Sequence, residues 1–208
     1  MHISEGVLIG PVLAGGYGLS AVGVMVGLKK LDDTKVARAA VLAAAFFVAS
    51  LIHVPVGPAN VHLILSGLVG ILMGWAAFPI ILTALLLQAI FFQFGGLTTL
   101  GVNTFIMALP AVFVSLLCGR AIRAGQRSIH LGGAFVAGAL AVFLSASLAA
   151  LSLTLSGGQF VTAAQVLVVA HLPLMLVEGG ITALCIGFLH RVKPGILLEN
   201  NRMFGEAR

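Results

Sequence analysis

Charged side chains are scarce in this sequence. Of its 208 residues only 8% are Asp, Glu, Lys or Arg, whereas 60% are hydrophobic. Soluble domains carry roughly 25% charged residues. So few charges cannot cover a water-facing surface, and we therefore expect the chain to lie in a lipid bilayer.

Several motifs of common protein classes are also absent. The two cysteines, Cys118 and Cys185, have neither the number nor the spacing of a disulfide framework or a thiolate metal site. No HExxH and no Walker A sequence occurs, which excludes those metalloproteases and P-loop nucleotide hydrolases. The first ten residues lack a basic segment, so we expect no cleaved signal peptide and a mature chain that begins at Met1.

Long apolar stretches fill most of the chain. A bilayer core of about 30 Å needs about 20 helical residues for each crossing. By this measure the sequence predicts an all-α, polytopic membrane protein with seven transmembrane helices. The predicted spans are 9–28, 36–54, 61–77, 79–95, 103–122, 130–156 and 162–189.

All basic residues fall on one side of this seven-span arrangement. They are Lys29, Lys30, Lys35, Arg38, Arg120, Arg123, Arg127, Arg191, Lys193, Arg202 and Arg208. The positive-inside rule makes that side cytoplasmic, so the N-terminus is predicted outside and the C-terminus in the cytoplasm. The net charge of +5 then reports topology, and no nucleic-acid partner is expected. We expect one helical bundle over 1–195, including a metal-binding N-terminal segment, and a short cytoplasmic tail over 196–208.

The N-terminal Met1-His2 sequence has the chemistry of a metal chelate. The terminal amine, the amide nitrogen of His2 and its imidazole close a five-membered and a six-membered ring around one ion. A deprotonated amide nitrogen favours square-planar Ni(II) or Cu(II). Three donors leave one corner of the square open, so the body of the protein must supply a fourth.

His62 is the best candidate for this fourth ligand. It is predicted at the outer start of the third span, where the positive end of a helix dipole keeps an imidazole neutral and able to bind. His53, at the outer end of the second span, is the alternative. Inside the last span, His171 and Glu178 are ionisable residues within the membrane, where such residues serve either function or a helix–helix hydrogen bond.

Four segments of the chain resemble a known family. They are MHISEG at the start, PVGPANVHLILSGLVGILMGW around His62, GGLTTLGVNTF in the second outer loop, and HLPLMLVEGGITA in the last span. These segments resemble the nickel/cobalt substrate-binding (S) subunits of energy-coupling-factor (ECF) transporters, and the likeness runs over nearly the whole chain. The PVGPANVH form is more similar to the nickel branch.

The resemblance implies a function and a site. It implies a prokaryotic cell (inner) membrane protein that captures extracellular Ni(II) or Co(II) as the transported substrate and has no ATPase of its own. The implied ligands are the amine of Met1, the amide and imidazole of His2, and His62. Asn103 in the second outer loop would brace the site, and His53 and Glu5 are the other candidates around it.

The resemblance also implies partner proteins. A transmembrane coupling protein and cytoplasmic ATP-binding-cassette ATPases would drive uptake, and a small accessory membrane protein is a further candidate partner. Other functions fit the same composition. One is a stand-alone divalent-metal channel, another a haem-binding membrane redox subunit with His53 and His171 as axial ligands. A vitamin-binding subunit of the same transporter class would share the architecture but would have no use for a Met-His terminus.

Overall fold

The computed structural model describes residues 2–56, 59–124 and 127–198, and most of these residues are helical. The elements in chain order are α1 (Gly10–Lys30), α2 (Asp33–Ala49), β1 (His53–Val56), β2 (Ala59–His62), α3 (Ser66–Met73), a 3-10 turn (Gly74–Ala76), α4 (Ala77–Phe92), α5 (Leu100–Ala124), α6 (Arg127–Ser156), a second 3-10 turn (Gly158–Phe160), α7 (Val161–Val192) and α8 (Gly195–Leu198).

Five helical segments in the described part of the chain are long and apolar enough to cross a bilayer. They are Gly10–Lys30, Ser66–Phe92, Leu100–Gly119, His130–Ser156 and Gly158–Val192. Large apolar side chains, which are unfavourable in contact with water, lie exposed on the outer surfaces of these helices, as expected for helices that face lipid. The helical, multi-pass membrane architecture is therefore confirmed, whereas the number of seven crossings stays a prediction.

The prediction for the region between the second and third spans was wrong in detail. The second span was predicted over 36–54 and the third from residue 61, but α2 ends at Ala49 and α3 begins only at Ser66. Between them β1 and β2 form an antiparallel hairpin in which His53 is paired with His62. Short apolar runs fit a strand as well as a helix, and here main-chain pairing between the two strands decides for a hairpin. The chain is thus not purely α-helical.

The stretch that contains α3 and α4 turns back on itself. The imidazole of His2 contacts both His62 and Gln88, so residues 62 and 88 lie close together. A straight helix over the same 26 steps would separate them by about 39 Å. The reversal occurs at the 3-10 turn, where Gly74 adopts φ 54°, a conformation that favours glycine. The reversal predicted between the spans 61–77 and 79–95 therefore lies a few residues earlier in the chain.

One end of the bundle carries the N-terminal segment 2–9, the β hairpin and the loop 93–99; we call it the hairpin end. Hydrogen bonds tie these parts to the helices that meet there. Ile9 N–H donates to Ser156 Oγ over 3.4 Å, and the Tyr17 hydroxyl donates to the carbonyl oxygen of Leu97. Helices α1 and α7 begin at this end and carry basic residues in their last turns, so those charges lie at the opposite end.

Glycines let neighbouring helices approach each other closely. Gly70 of α3 lies so near the main chain of Ala111 in α5 that a Cβ would come within 2.0 Å of its carbonyl oxygen. Gly23 of α1 accommodates the ring of Phe78 in the same way. At the other end of the chain, Leu197 of α8 is buried in the core, two residues past the boundary predicted at 195. Residues 199–208 of the predicted tail lie outside the described residues.

Candidate metal centre

Two histidines from distant parts of the chain meet at the hairpin end. His2 lies in the extended N-terminal segment, and His62 is the last residue of β2. Their rings are stacked with centroids 4.7 Å apart, and His2 Nδ1 lies 3.1 Å from His62 Nε2. The structure therefore brings together the two imidazoles that were predicted to share one ion.

The hydrogen-bond partners assign the proton positions on His62. Its Nδ1 lies 2.9 Å from the carbonyl oxygen of Leu63, which can only accept a hydrogen bond. Nδ1 must therefore carry the hydrogen and donate it. In a neutral ring Nε2 is then the nitrogen without a hydrogen, and Nε2 is the atom that faces His2.

A chain of hydrogen bonds assigns His2 in the same way. The Ser50 hydroxyl donates to the carbonyl oxygen of Phe47 over 2.7 Å and accepts from the Gln88 side-chain amide over 2.7 Å. The Gln88 oxygen therefore faces His2, and it accepts a hydrogen bond of 2.7 Å from His2 Nε2. His2 Nδ1 is then the ring nitrogen without a hydrogen.

His2 Nδ1 and His62 Nε2 consequently face each other across 3.1 Å. Metal–imidazole bonds of about 2.0–2.1 Å would place neighbouring corners of a square about 2.9 Å apart. The spacing thus fits one edge of a square-planar site in which His2 and His62 are adjacent ligands.

Burial keeps both rings neutral. It lowers the pKa of His2 to about 3 and that of His62 to about 2. Desolvation disfavours the charged imidazolium, and neutral imidazole is the form that binds metal. The predicted reason was different and was wrong: His62 lies in a strand, four residues before α3, and does not stand at a helix N-terminus.

Asn103 clamps the N-terminal segment next to His2. Its Oδ1 accepts the Ile3 N–H over 3.0 Å, and its Nδ2 donates to the Ile3 carbonyl oxygen over 3.1 Å. A third bond of 3.2 Å from Nδ2 to Thr99 Oγ1 orients the amide. The predicted bracing residue therefore holds the main chain one residue after His2, while Ile3 itself is buried in the core.

The loop 93–99 covers the other side of the N-terminal segment. Gly95 and Gly96 adopt φ values of +79° and +115°, and a Cβ on Gly95 would lie 3.5 Å from the Cβ of His2. Glu5 lies against Gly96, and its carboxylate accepts the Thr98 N–H over 2.9 Å, which lowers the pKa of Glu5. Glu5 therefore fastens the segment to the loop and lies three residues from the imidazole pair.

His53 lies next to the pair but is exposed. Its ring is 5.7 Å from that of His62 and 5.6 Å from that of Phe94, and its Nδ1 donates to the carbonyl oxygen of Leu51 over 3.0 Å. His171 instead donates from Nδ1 to the carbonyl oxygen of Leu167 in its own helix over 2.7 Å. None of the contacts described for His53 or His171 joins the two.

Glu178 of α7 has a contact that its place within the last span did not predict. Its carboxyl group accepts the main-chain N–H groups of Ile64 and Leu65, and its side chain is fully buried. These two residues connect β2, which carries His62, to α3. Glu178 is thus joined to the segment that follows His62.

Two residues of the site were missed by sequence reasoning, and one predicted ligand is not described. Gln88 and Ser50, which orient His2, were not predicted; the signal was a lone glutamine in the apolar run of α4. Met1, whose amine was predicted as a ligand, lies outside the described residues. Among residues 2–56, 59–124 and 127–198, no group of three or more His, Cys, Asp or Glu side chains could hold a metal. The predicted square requires only two side chains and two main-chain nitrogens.

Comparison with known proteins assigns this chain to a family. The family described as the cobalt uptake substrate-specific transmembrane region, CbiM, matches residues 2–196. The chain belongs to this family. The match extends over His2, His62, the hairpin and all five long helical segments.

Relatives of the CbiM family member include nickel and cobalt proteins. A Haemophilus influenzae protein, whose description as a metal transport protein is provisional, is 41% identical over 95% of this chain and 97% of its own. The cobalt transport protein CbiM of Geobacter sulfurreducens is 31% identical over 96% of this chain and 62% of its own. The fused nickel transport protein NikMN of Rhodobacter capsulatus is 35% identical over 71% of this chain and 46% of its own.

Solved structures agree with the family assignment. Two crystal structures titled as a transition metal transporter, one of them truncated, superpose with TM-scores of 0.75 and 0.73 at 27% identity. They cover 99% and 96% of this chain, and 100% and 99% of their own chains. The resemblance to nickel/cobalt transport subunits noted in the sequence is therefore confirmed.

Proposed function

We propose that this CbiM-family chain captures Ni(II), or Co(II), on the outer side of the membrane as the substrate-specific subunit of an ATP-driven ECF uptake transporter. The ligands are the Met1 amine, the His2 amide nitrogen, His2 Nδ1 and His62 Nε2. The observation that carries this proposal is that His2 Nδ1 and His62 Nε2 face each other across 3.1 Å, while the other nitrogen of each ring is held by an oxygen acceptor. The cobalt and nickel names of the relatives support the same class of substrate.

The donor set favours nickel. Four nitrogen donors that include a deprotonated amide suit a square-planar d⁸ ion, whereas Co(II) accepts this geometry less readily. The ion arrives from the side on which the N-terminal segment lies, displaces the protons of the amine and amide, and draws this segment against His62. A transmembrane coupling protein and cytoplasmic ATPases then supply the energy for release on the inner side.

Metal titration of the purified full chain tests the site. Acetylation of the terminal amine and His62→Ala should each weaken Ni(II) binding by about a hundredfold or more, because each removes one of four ligands. His53→Ala is the matched control: it also removes a histidine from the hairpin, yet from a position where the ring faces solvent. Its effect should stay within about threefold.

The opposite ranking would contradict the ligand assignment. If His53→Ala abolished binding and His62→Ala did not, the ion would lie at the exposed ring of His53 and not at the buried ring of His62. Full affinity after acetylation would show that the terminal amine is not a ligand. Circular dichroism and gel filtration of each variant establish that the bundle is intact.

A further inference from the structure

Glu178 touches the segment that holds His62, although it lies in the middle of α7. We propose that Glu178 is a positioning residue for the metal site: it fixes the main chain directly after His62 and so determines where His62 Nε2 lies. This inference rests on the proposed function, because it assigns Glu178 a role only if His62 is a ligand. Glu178 itself does not touch the ion.

Glu178 supplies hydrogen-bond partners to main-chain amides at the junction between β2 and α3. Strand β2 ends at His62 and α3 begins at Ser66, so the amides between them lie outside both hydrogen-bond ladders. Ile64 N–H donates to Glu178 Oε1, and Leu65 N–H lies 3.0 Å from both carboxyl oxygens. Buried amides without partners are costly. One carboxyl group therefore satisfies the junction between the strand and the helix.

Leu65 shows why this junction needs support. It adopts φ 54° and ψ 16°, in the left-handed region that a leucine rarely occupies. Such a conformation persists only where surrounding contacts enforce it. The two hydrogen bonds to Glu178 enforce it here, on the residue whose conformation directs α3 away from the hairpin.

The position of the His62 ring follows from this junction. His62 Nδ1 donates to the carbonyl oxygen of Leu63, the residue that precedes the two amides held by Glu178. If the main chain at 64–65 moved, that carbonyl would move and the ring would lose its orientation. The link runs from the Glu178 carboxyl group through the main chain of 63–65 to the imidazole.

This link also connects α7 to ion release. Helix α7 is 32 residues long and reaches from the hairpin end to the basic residues at the opposite end. A shift of α7 relative to α3 would pull the junction with it and withdraw His62 from the ion. Three donors on residues 1 and 2 would remain, so the ion would be held less tightly. Glu178 is therefore the point at which movement of α7 reaches the metal.

Spectroscopy with Cu(II) and Ni(II) separates this role from simple stabilisation of the bundle. In Glu178→Ala, the affinity for Ni(II) should fall at least about tenfold, the factor expected when hydrogen bonds to a carboxyl group are lost. The d–d absorption and the Cu(II) EPR spectrum should match those of His62→Ala, with three nitrogen donors in place of four. Glu178→Gln keeps one oxygen acceptor and should be intermediate.

Thr182→Val is the matched control. Thr182 lies one turn further along α7, is equally buried, and its hydroxyl has no hydrogen-bond partner in the described part of the chain. The substitution removes a buried polar atom without touching residues 64–65. It should leave the four-nitrogen spectrum and the affinity unchanged.

The possible outcomes distinguish the inference from the proposed function. If Glu178→Ala kept the four-nitrogen spectrum while His62→Ala lost it, the positioning role would be overturned. If acetylation of the amine and His62→Ala also left binding unchanged, the proposed metal site itself would fail.

A second variant decides the matter if Glu178→Ala does not fold. Glycine adopts φ 54° without strain, so Leu65→Gly should depend less on the carboxyl group. Adding Leu65→Gly to Glu178→Gln should restore part of the lost affinity and the four-nitrogen spectrum. No restoration would count against the role of Glu178 in holding this turn.

Discussion

The clamp on Ile3 allows the clearest quantitative prediction. Replacing Asn103 by Leu keeps the size of the side chain but removes both hydrogen bonds to the Ile3 main chain, of 3.0 and 3.1 Å. Each bond contributes about 0.5–1.5 kcal/mol, so docking of the N-terminal segment should weaken by about 1–3 kcal/mol. This corresponds to a factor of about 5 to 150 in the docking equilibrium.

The loss should appear in the affinity for Ni(II), because His2 must be docked to share an ion with His62. Isothermal titration of the purified full chain measures it directly. We expect Asn103→Leu to bind at least about fivefold more weakly than the natural chain. Thr99→Val should lose less, since it removes the 3.2 Å bond that orients the amide of Asn103 and a 3.4 Å bond to the carbonyl oxygen of Gly96, but neither bond to Ile3.

A variant outside the site provides the baseline. The Ser147 hydroxyl donates to the carbonyl oxygen of Phe143 in its own helix over 2.8 Å and lies outside the site, so Ser147→Ala should leave the affinity unchanged. If Asn103→Leu folded and bound Ni(II) as tightly as Ser147→Ala, the clamp would not position the N-terminal segment. The reasoning from these two hydrogen bonds would then be refuted.

Three further predictions concern pH, packing and transport. Because burial lowers the pKa of His2 to about 3 and that of His62 to about 2, both rings stay neutral down to about pH 4. As the pH is lowered from 7 to 5, the Ni(II) affinity should therefore fall only because protons compete for the amine and amide nitrogens, by about two log units per pH unit. A steeper slope would show that the imidazoles titrate too. Gly70→Ala should lower the free energy of unfolding by about 1–3 kcal/mol, because its Cβ would clash with the Ala111 main chain. Gly180→Ala should not lower it, because no atom lies within 4 Å of the added Cβ. Cells that express this chain without the coupling protein and ATPases should not accumulate nickel, and accumulation measured as isotope uptake would favour a channel.

The sequence predicted two imidazoles, of His2 and His62, that the structure brings together, but for the neutrality of His62 it gave a wrong physical reason. The identity of His62 came from its place near an outer end of an apolar stretch. Its neutrality comes from burial against the N-terminal segment, which only the tertiary structure shows. Hydropathy could not locate the hairpin either, because an apolar run such as that over residues 50–65 is compatible with both a strand and a helix.

The hydrogen-bond chain through Gln88 could not be predicted for a different reason. In the sequence, a single glutamine in the apolar helix α4 does not indicate a functional contact, because isolated polar residues occur in membrane spans. Its meaning depends on Ser50 from α2 and on His2 from the N-terminus, which meet only after the segment between residues 62 and 88 has turned back. Polar residues inside spans are best judged by what they could reach across the bundle.

The pairing of His53 with His62 across the two strands makes the hairpin sensitive to parity. Val56 is paired with Ala59, so two residues join the strands, and side chains alternate between the two faces along each strand. Adding one residue to this connection and shifting the pairing by one step would turn the imidazole of His62 away from the ion. Adding two would restore the face, so natural length variation at this turn should occur in even steps.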